Sequence, residues 1–194
     1  IQGNNAMINA APYQIFSTSV TLTGTWKVDK VYPEYFGTVG SSSSINSATA
    51  INAALTFSNL TGCKVQLLPR DYHISSTIHI LGGTTLEGTI SGTTSYYNSL
   101  SSEHGTNIVA TLSSSTTPLI SIITEGNDNV SKIDCYRFSL CNLTIINTGS
   151  STAVEIKSAD SVSLTPRTGR VNNLIISNSA GYAIDIAGSS YIRI

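Results

Sequence analysis

Two carboxylates occupy matching positions in two similar segments of the chain. Glu155 lies in the segment AVEI, and Asp185 lies in the later segment AIDI. Each alternates with apolar residues, as in a strand with one buried face. If these are equivalent strands in successive turns of a repeat, both carboxyl groups point outward, about one strand spacing (~5 Å) apart. This fits the ~5 to 5.5 Å between the two carboxyl groups of a retaining glycosidase, so we predict Glu155 and Asp185 as catalytic residues.

The same pair has a structural alternative. Lys157 lies two positions after Glu155, on the same side of the predicted strand. In that position its ammonium group would neutralise Glu155 on a solvated face. The pair would then have no catalytic role.

Two polar stretches, residues 91–106 and 125–132, interrupt the alternating pattern. Long loops on a rigid scaffold often carry binding surfaces, because tyrosine rings stack on sugars and Glu and His transfer protons. The predicted substrate-binding residues in these loops are Tyr96, Tyr97, Glu103, His104 and Asp128. Alternatively, these loops pack on their own turn of the repeat or on a neighbouring subunit.

The remaining reactive side chains do not form a recognisable site. His73 and His79 alternate with apolar residues, so we expect both to face outward as ordinary surface or interface residues. Cys63, Cys135 and Cys141 lack CxxC or Cys/His spacing, and we expect buried thiols rather than disulfides or a zinc site. The sequence therefore predicts no metal site and no cofactor.

The amino-acid composition limits the classes of partner that the protein can bind. Charged residues make up 11% of the chain and the net charge is -1, so no basic field is available for nucleic acid. No apolar run approaches the ~18 residues of a membrane span. A surface of Ser, Thr, Asn and Gly is instead suited to sugars.

A repeat of about 30 residues, a period typical of solenoid proteins, places the strands. The segment CNLTII resembles the later segment NNLIIS, with Asn142 matching Asn173 at a separation of 31, and the segments around Glu155 and Asp185 match at a separation of 30. Two short strands recurring in order at this period indicate a β-solenoid, in which Val154 stacks on Ile184 and Asn142 on Asn173. The fold class predicted is all-β, a right-handed parallel β-helix. A β-sandwich is the alternative.

One helix interrupts the strands. In SATAINAALTFSNLTG, apolar residues recur every three to four positions, a Ser or Asn caps the start, and Gly62 ends the helix. This amphipathic N-terminal helix would cap the open first turn of the solenoid. We expect a connector or neck strand over residues 1–28, an extended loop and capping helix over 29–62, and β-helix coils over 63–194 that are truncated at the C-terminal end.

The chain also resembles a known family. The succession VYPEYFGTVG, SATAINAAL and VQLLPRDYHISSTIHILGGTTLEGT, covering roughly residues 27 to 90, resembles the opening of pectate-lyase-like parallel β-helices, especially bacteriophage tailspikes and capsule depolymerases.

The resemblance implies a homotrimer in the virion tail, joined to phage tail or baseplate proteins through its N-terminal side and acting at the host cell surface. It implies recognition and depolymerisation of a bacterial surface polysaccharide (capsule, exopolysaccharide or lipopolysaccharide) by glycosidic hydrolysis or β-elimination. Some lyases of this fold bind Ca²⁺, so the resemblance implies Ca²⁺ binding as an alternative role for the pair Glu155 and Asp185. The alternatives are a non-catalytic glycan-binding tail fibre or adhesin module, and a trimer scaffold whose active site lies outside this chain.

Overall fold

The protein consists mostly of short strands with one α-helix. The computed structural model describes residues 1–17, 20–89, 105–114, 116–124, 137–158, 168–178, 180–187 and 192–194. A 3-10 helix spans Pro33–Tyr35, and the α-helix α1 spans Ala48–Thr61. The strands are β1 (Ala6–Met7), β2 (Trp26–Lys27), β3 (Lys30–Val31), β4 (Lys64–Gln66), β5 (Asp71–Ile74), β6 (Ile78–His79), β7 (Thr85–Glu87), β8 (Asn107–Ala110), β9 (Ile120–Thr124), β10 (Ser139–Asn147), β11 (Val154–Ser158), β12 (Arg170–Asn178) and β13 (Ile184–Ala187).

All pairs of these strands are parallel. A seven-stranded sheet has the order β3-β4-β7-β10-β8-β5, with β12 also paired to β10, and a four-stranded sheet has the order β13-β11-β9-β6. The first half of β10 pairs with β7 and its second half with β8, so the larger sheet curls at the middle of β10. Parallel pairing throughout the described strands excludes the β-sandwich alternative, whose neighbouring strands would be antiparallel.

The predicted repeat is confirmed in its register. Leu143 pairs with Leu174 at a separation of 31, and Val154 pairs with Ile184 at a separation of 30. Each of these strands is therefore hydrogen-bonded to its counterpart one turn away, at a spacing of about 4.8 Å. This succession of strands is solenoid-like.

The core follows from the alternation of side chains along each strand. On the inner side of the larger sheet, Val65, Leu86, Leu140 and Val171 occupy successive turns in register and are buried. On the inner side of the smaller sheet, the buried residues Ile78, Ile120 and Val154 are stacked in the same way. Like residues stack on like because the pairing register preserves the alternation from turn to turn.

Helix α1 packs over the first turn, as the amphipathic pattern predicts. Its buried side, which includes Ile51, Leu55 and Phe57, contacts strands β4 to β7. Its C-terminus is closed by Gly62 at φ 76°, whose N–H donates to the Ser58 carbonyl. The rings of Phe16, Trp26 and Phe36 cluster around Phe57, with centroids 5.4 to 6.3 Å apart, so these aromatic side chains serve packing.

A buried phenol links the 3-10 helix to the first turn. The Tyr72 hydroxyl accepts a hydrogen bond from the Leu68 N–H at 2.8 Å and donates one to Glu34 Oε1 at 3.0 Å. Arg70 lies 3.8 Å from the same carboxylate oxygen. Burial, and then the Glu34 carboxylate, raise the pKa of Tyr72 above its ordinary value of 10.0.

Tyr72→Phe is expected to destabilise the fold by about 1–3 kcal/mol near neutral pH, because the part-buried Leu68 N–H and the buried Glu34 carboxylate each lose a hydrogen bond. Since the folded-state pKa of Tyr72 is raised, its stabilising effect is complete below about pH 10 and declines by up to about 1.4 kcal/mol per pH unit above it. Denaturant unfolding at about pH 8 and about pH 11 should therefore show a smaller difference between wild type and Tyr72→Phe at the higher pH. Parallel stability profiles over this range would contradict the assignment.

Asparagines form the corner where the larger sheet curls. Asn142 and Asn173 have φ angles of 61° and 53°, in the left-handed region that asparagine tolerates better than most residues. Asn173 Nδ2 donates to Asn142 Oδ1 at 2.8 Å, and Asn142 Nδ2 donates to Glu87 Oε1 at 3.2 Å. The predicted stacking of the two asparagines is confirmed, and it extends one turn further to Glu87.

Asn142→Ala is expected to lower the free energy of unfolding by about 1–2 kcal/mol. Alanine is strained in the left-handed conformation, and it cannot form either of the two hydrogen bonds. Asn142→Gly should lose less, since glycine adopts this φ without strain. The matched control is Asn172→Ala at an exposed strand position, expected within about 0.5 kcal/mol of wild type by thermal or chemical unfolding. Equal losses for the alanine and glycine variants at position 142 would exclude backbone strain as the cause.

Candidate functional site

A column of polar side chains follows the outward side of the four-stranded sheet. The pairing register aligns His79 with Ser121, Ser121 with Glu155, and Glu155 with Asp185. Their neighbours in sequence, including Ile78, face the core, so alternation places the column on the outer side of the sheet, although Ser121 is itself only 3% exposed. The two carboxylates therefore lie in adjacent strands with matching orientation, as the sequence predicts.

The two carboxylates have different surroundings. Glu155 is only 8% exposed although it lies on the outer side, whereas Asp185 is partly exposed. Ser121 and Asp185 flank Glu155 on the neighbouring strands, and Lys157 Nζ forms an ion pair with Glu155 Oε1. Lys157 thus compensates the charge of Glu155 and reduces its repulsion of Asp185, which is the arrangement of the structural alternative.

The residues predicted to bind sugar belong to the two polar stretches of the sequence. Tyr96, Tyr97, Glu103, His104 and Asp128 lie outside the described residues. Their assignment to sugar binding stays a prediction.

The two histidines differ from each other. His79 is exposed at the start of the polar column, as expected. His73 is 8% exposed, so the expectation of a surface residue is wrong for it. Its backbone exchanges hydrogen bonds with Gly40 and Ser47, and its Nδ1 lies 3.4 Å from the Ile45 carbonyl oxygen. The segment before α1 thus hydrogen-bonds to the edge of β5 and lies against the His73 ring, a non-local contact that alternation cannot reveal.

The described cysteines are free thiols, and the described side chains form no cluster of metal ligands. Cys63 and Cys141 are buried free thiols, as predicted, and burial raises the pKa of both. Cys135 lies outside the described residues. Within the described ranges, no group of three or more His, Cys, Asp or Glu side chains is placed to hold a metal ion.

Ser121 and His79 are members of the column that the sequence did not identify. The separation along the chain is 34 between the paired Ile120 and Val154 and 42 between the paired Ile78 and Ile120, because the long interruptions fall in these two turns. A fixed period of 30 therefore misses them. The alternation of residues around Ser121 predicted a strand, but it did not predict with which residues that strand pairs.

Comparisons with protein-family models, with curated proteins and with solved structures found no match to this chain. Among the described residues, no helix has the length and apolar character needed to cross a membrane.

Proposed function

We propose that this chain is part of a phage tailspike whose right-handed parallel β-helix recognises a bacterial surface polysaccharide and depolymerises it at Glu155 and Asp185. The observation that carries the proposal is the in-register pairing of Glu155 with Asp185 on parallel neighbouring strands. The solenoid-like curl of the larger sheet and the helix over its first turn support the fold. The sequence resemblance to tailspikes and capsule depolymerases supports the substrate class and the trimer.

Two carboxyl groups on neighbouring strands, which are spaced about 4.8 Å apart, can divide the work of glycosidic cleavage. In hydrolysis, one carboxyl group donates a proton to the departing glycosidic oxygen while the other attacks or stabilises the anomeric carbon, and water completes the reaction. In β-elimination, one carboxylate removes a proton from a ring carbon, a C=C bond forms as the C–O bond to the leaving sugar breaks, and the other carboxyl group protonates the leaving oxygen. Both routes need an acid and a base on one face, and the pair supplies both.

The test is incubation of the full-length protein with host capsule or lipopolysaccharide, with reducing ends and absorbance of unsaturated uronates followed together. New reducing ends without absorbance indicate hydrolysis, and both signals together indicate β-elimination. Absence of cleavage and of glycan binding would refute the proposal.

A second candidate function is a tail fibre or adhesin module that binds glycan without cutting it. The ion pair between Lys157 and Glu155 favours this alternative, because it occupies one of the two carboxylates. Glycan binding with no product by either readout would identify this function.

A further inference from the structure

A second outward column, on the seven-stranded sheet, carries basic and hydroxyl side chains. Ser139 is in register with Thr85 on one side and with Arg170 on the other. A further bridge aligns Arg170 with Arg193. At the other end of the sheet, Lys30 pairs with Lys64, one residue before the register of Val65 with Leu86.

The side chains of this column point away from the core. The residues that follow Thr85, Ser139 and Arg170 are Leu86, Leu140 and Val171, all buried. Alternation therefore puts the column on the outer surface. Arg170 and Arg193 are both exposed, and hydrogen bonds from the Val171 N–H to the Arg193 carbonyl and from the Arg193 N–H to the Gly169 carbonyl fix their alignment.

The charges of the column are compensated at one end only. Lys64 forms an ion pair with Glu87 at 2.8 Å. In the described part of the chain, no carboxylate forms an ion pair with Arg170 or Arg193. Two guanidinium groups on adjacent strands repel each other, and an anion bound between them would remove that cost.

The neighbouring side chains are suited to a sugar. Thr85 and Ser139 continue the column with hydroxyl groups, and the exposed amide of Asn172 lies two positions after Arg170, on the same side of β12. Hydroxyl and amide groups hydrogen-bond to sugar hydroxyls, while guanidinium groups bind carboxylates through two parallel hydrogen bonds. The strand spacing of about 4.8 Å is comparable to the length of one sugar residue in a chain.

We infer that Arg170 and Arg193 form a binding site for the carboxylate groups of an acidic polysaccharide, on a different sheet from Glu155 and Asp185. The inference rests on the proposed glycan-binding function for the class of ligand, and it specifies that the glycan is anionic. Lys64, Thr85 and Ser139 extend this site along the column.

The experiment measures equilibrium binding of the full chain to polygalacturonate and to neutral dextran by calorimetry or affinity electrophoresis at low salt. Arg170→Gln and Arg193→Gln are each expected to weaken polygalacturonate binding about five-fold, and the double variant about twenty-fold. Binding should weaken with added salt, because exposed charges are screened. Lys27→Gln, which removes an exposed positive charge from β2, is the matched control and should leave binding unchanged.

Three outcomes would overturn the inference. These are absence of polygalacturonate binding by the wild-type chain, equal binding of dextran and polygalacturonate, and unchanged binding in the double arginine variant. None of them requires loss of cleavage of the host polysaccharide, so reducing-end release distinguishes failure of this inference from failure of the proposed function.

Discussion

If the chain cleaves glycan as proposed, Glu155→Gln and Asp185→Asn are each expected to reduce the rate of cleavage by at least about a hundred-fold, because each substitution removes a carboxyl group assigned to proton transfer or to attack on the sugar. The amides are nearly isosteric with the carboxyl groups they replace, so glycan binding should change little. Asp185→Asn should also leave the unfolding temperature nearly unchanged, whereas Glu155→Gln should lower it, because the substitution breaks the ion pair of the buried Glu155 with Lys157. Release of reducing ends, measured at saturating and limiting substrate, separates a loss of kcat from a change in KM.

Asp71→Asn is the matched control. Asp71 is a carboxylate on the larger sheet whose Oδ1 accepts a hydrogen bond from Asn107 Nδ2 at 2.8 Å, and the amide oxygen of asparagine can accept the same bond. This variant should cleave at the wild-type rate. If Glu155→Gln and Asp185→Asn also turn over at that rate, the pair has no catalytic role and Glu155 serves only its ion pair with Lys157.

Gly88→Ala is expected to destabilise the fold by about 3 kcal/mol, because the added methyl group has no space at the corner of the curled sheet. A Cβ at Gly88 would overlap the Asn142 carbonyl oxygen and press against the side chains of Leu143 and Thr106. The carbonyl cannot move without disturbing the next turn, since the Gly88 N–H donates to the neighbouring Cys141 carbonyl. Denaturant unfolding gives the free energy directly.

Gly40→Ala is the comparison for this substitution. A Cβ at Gly40 would meet only the Cδ1 atom of Ile45 at 3.1 Å, the flexible end of a side chain that can rotate away. We expect a loss below about 1 kcal/mol for this variant. Similar losses at both positions would show that close approach of the backbone at Gly88 does not determine the stability of the corner.

The sequence predicted the features that depend on local patterns. The alternation around Glu155 and Asp185 indicated the register of β11 and β13, and the apolar spacing before Gly62 indicated the helix and its end. The match of Asn142 with Asn173 located the corner, because stacked turns need the same backbone conformation at the same place.

Features that depend on long-range geometry were missed. Ser121 and His79 joined the column only through strand pairing across unequal intervals, which no fixed period identifies. His73 was assigned to the surface because alternation reports the side of a strand and not which other segment packs against it. The alignment of Arg170 with Arg193 was also invisible, since a single isolated bridge carries it.

The parallel pairing of each strand with a counterpart one turn away has a kinetic consequence. These contacts join residues far apart in the chain, as for Val154 with Ile184 and with Ile120, so the native contacts have a high contact order. Closing such long loops lowers the conformational entropy of the chain before any stabilising contact forms. Folding is therefore slow. Helix α1 forms from local contacts and can order first, giving the first turn a template on which later turns assemble in sequence.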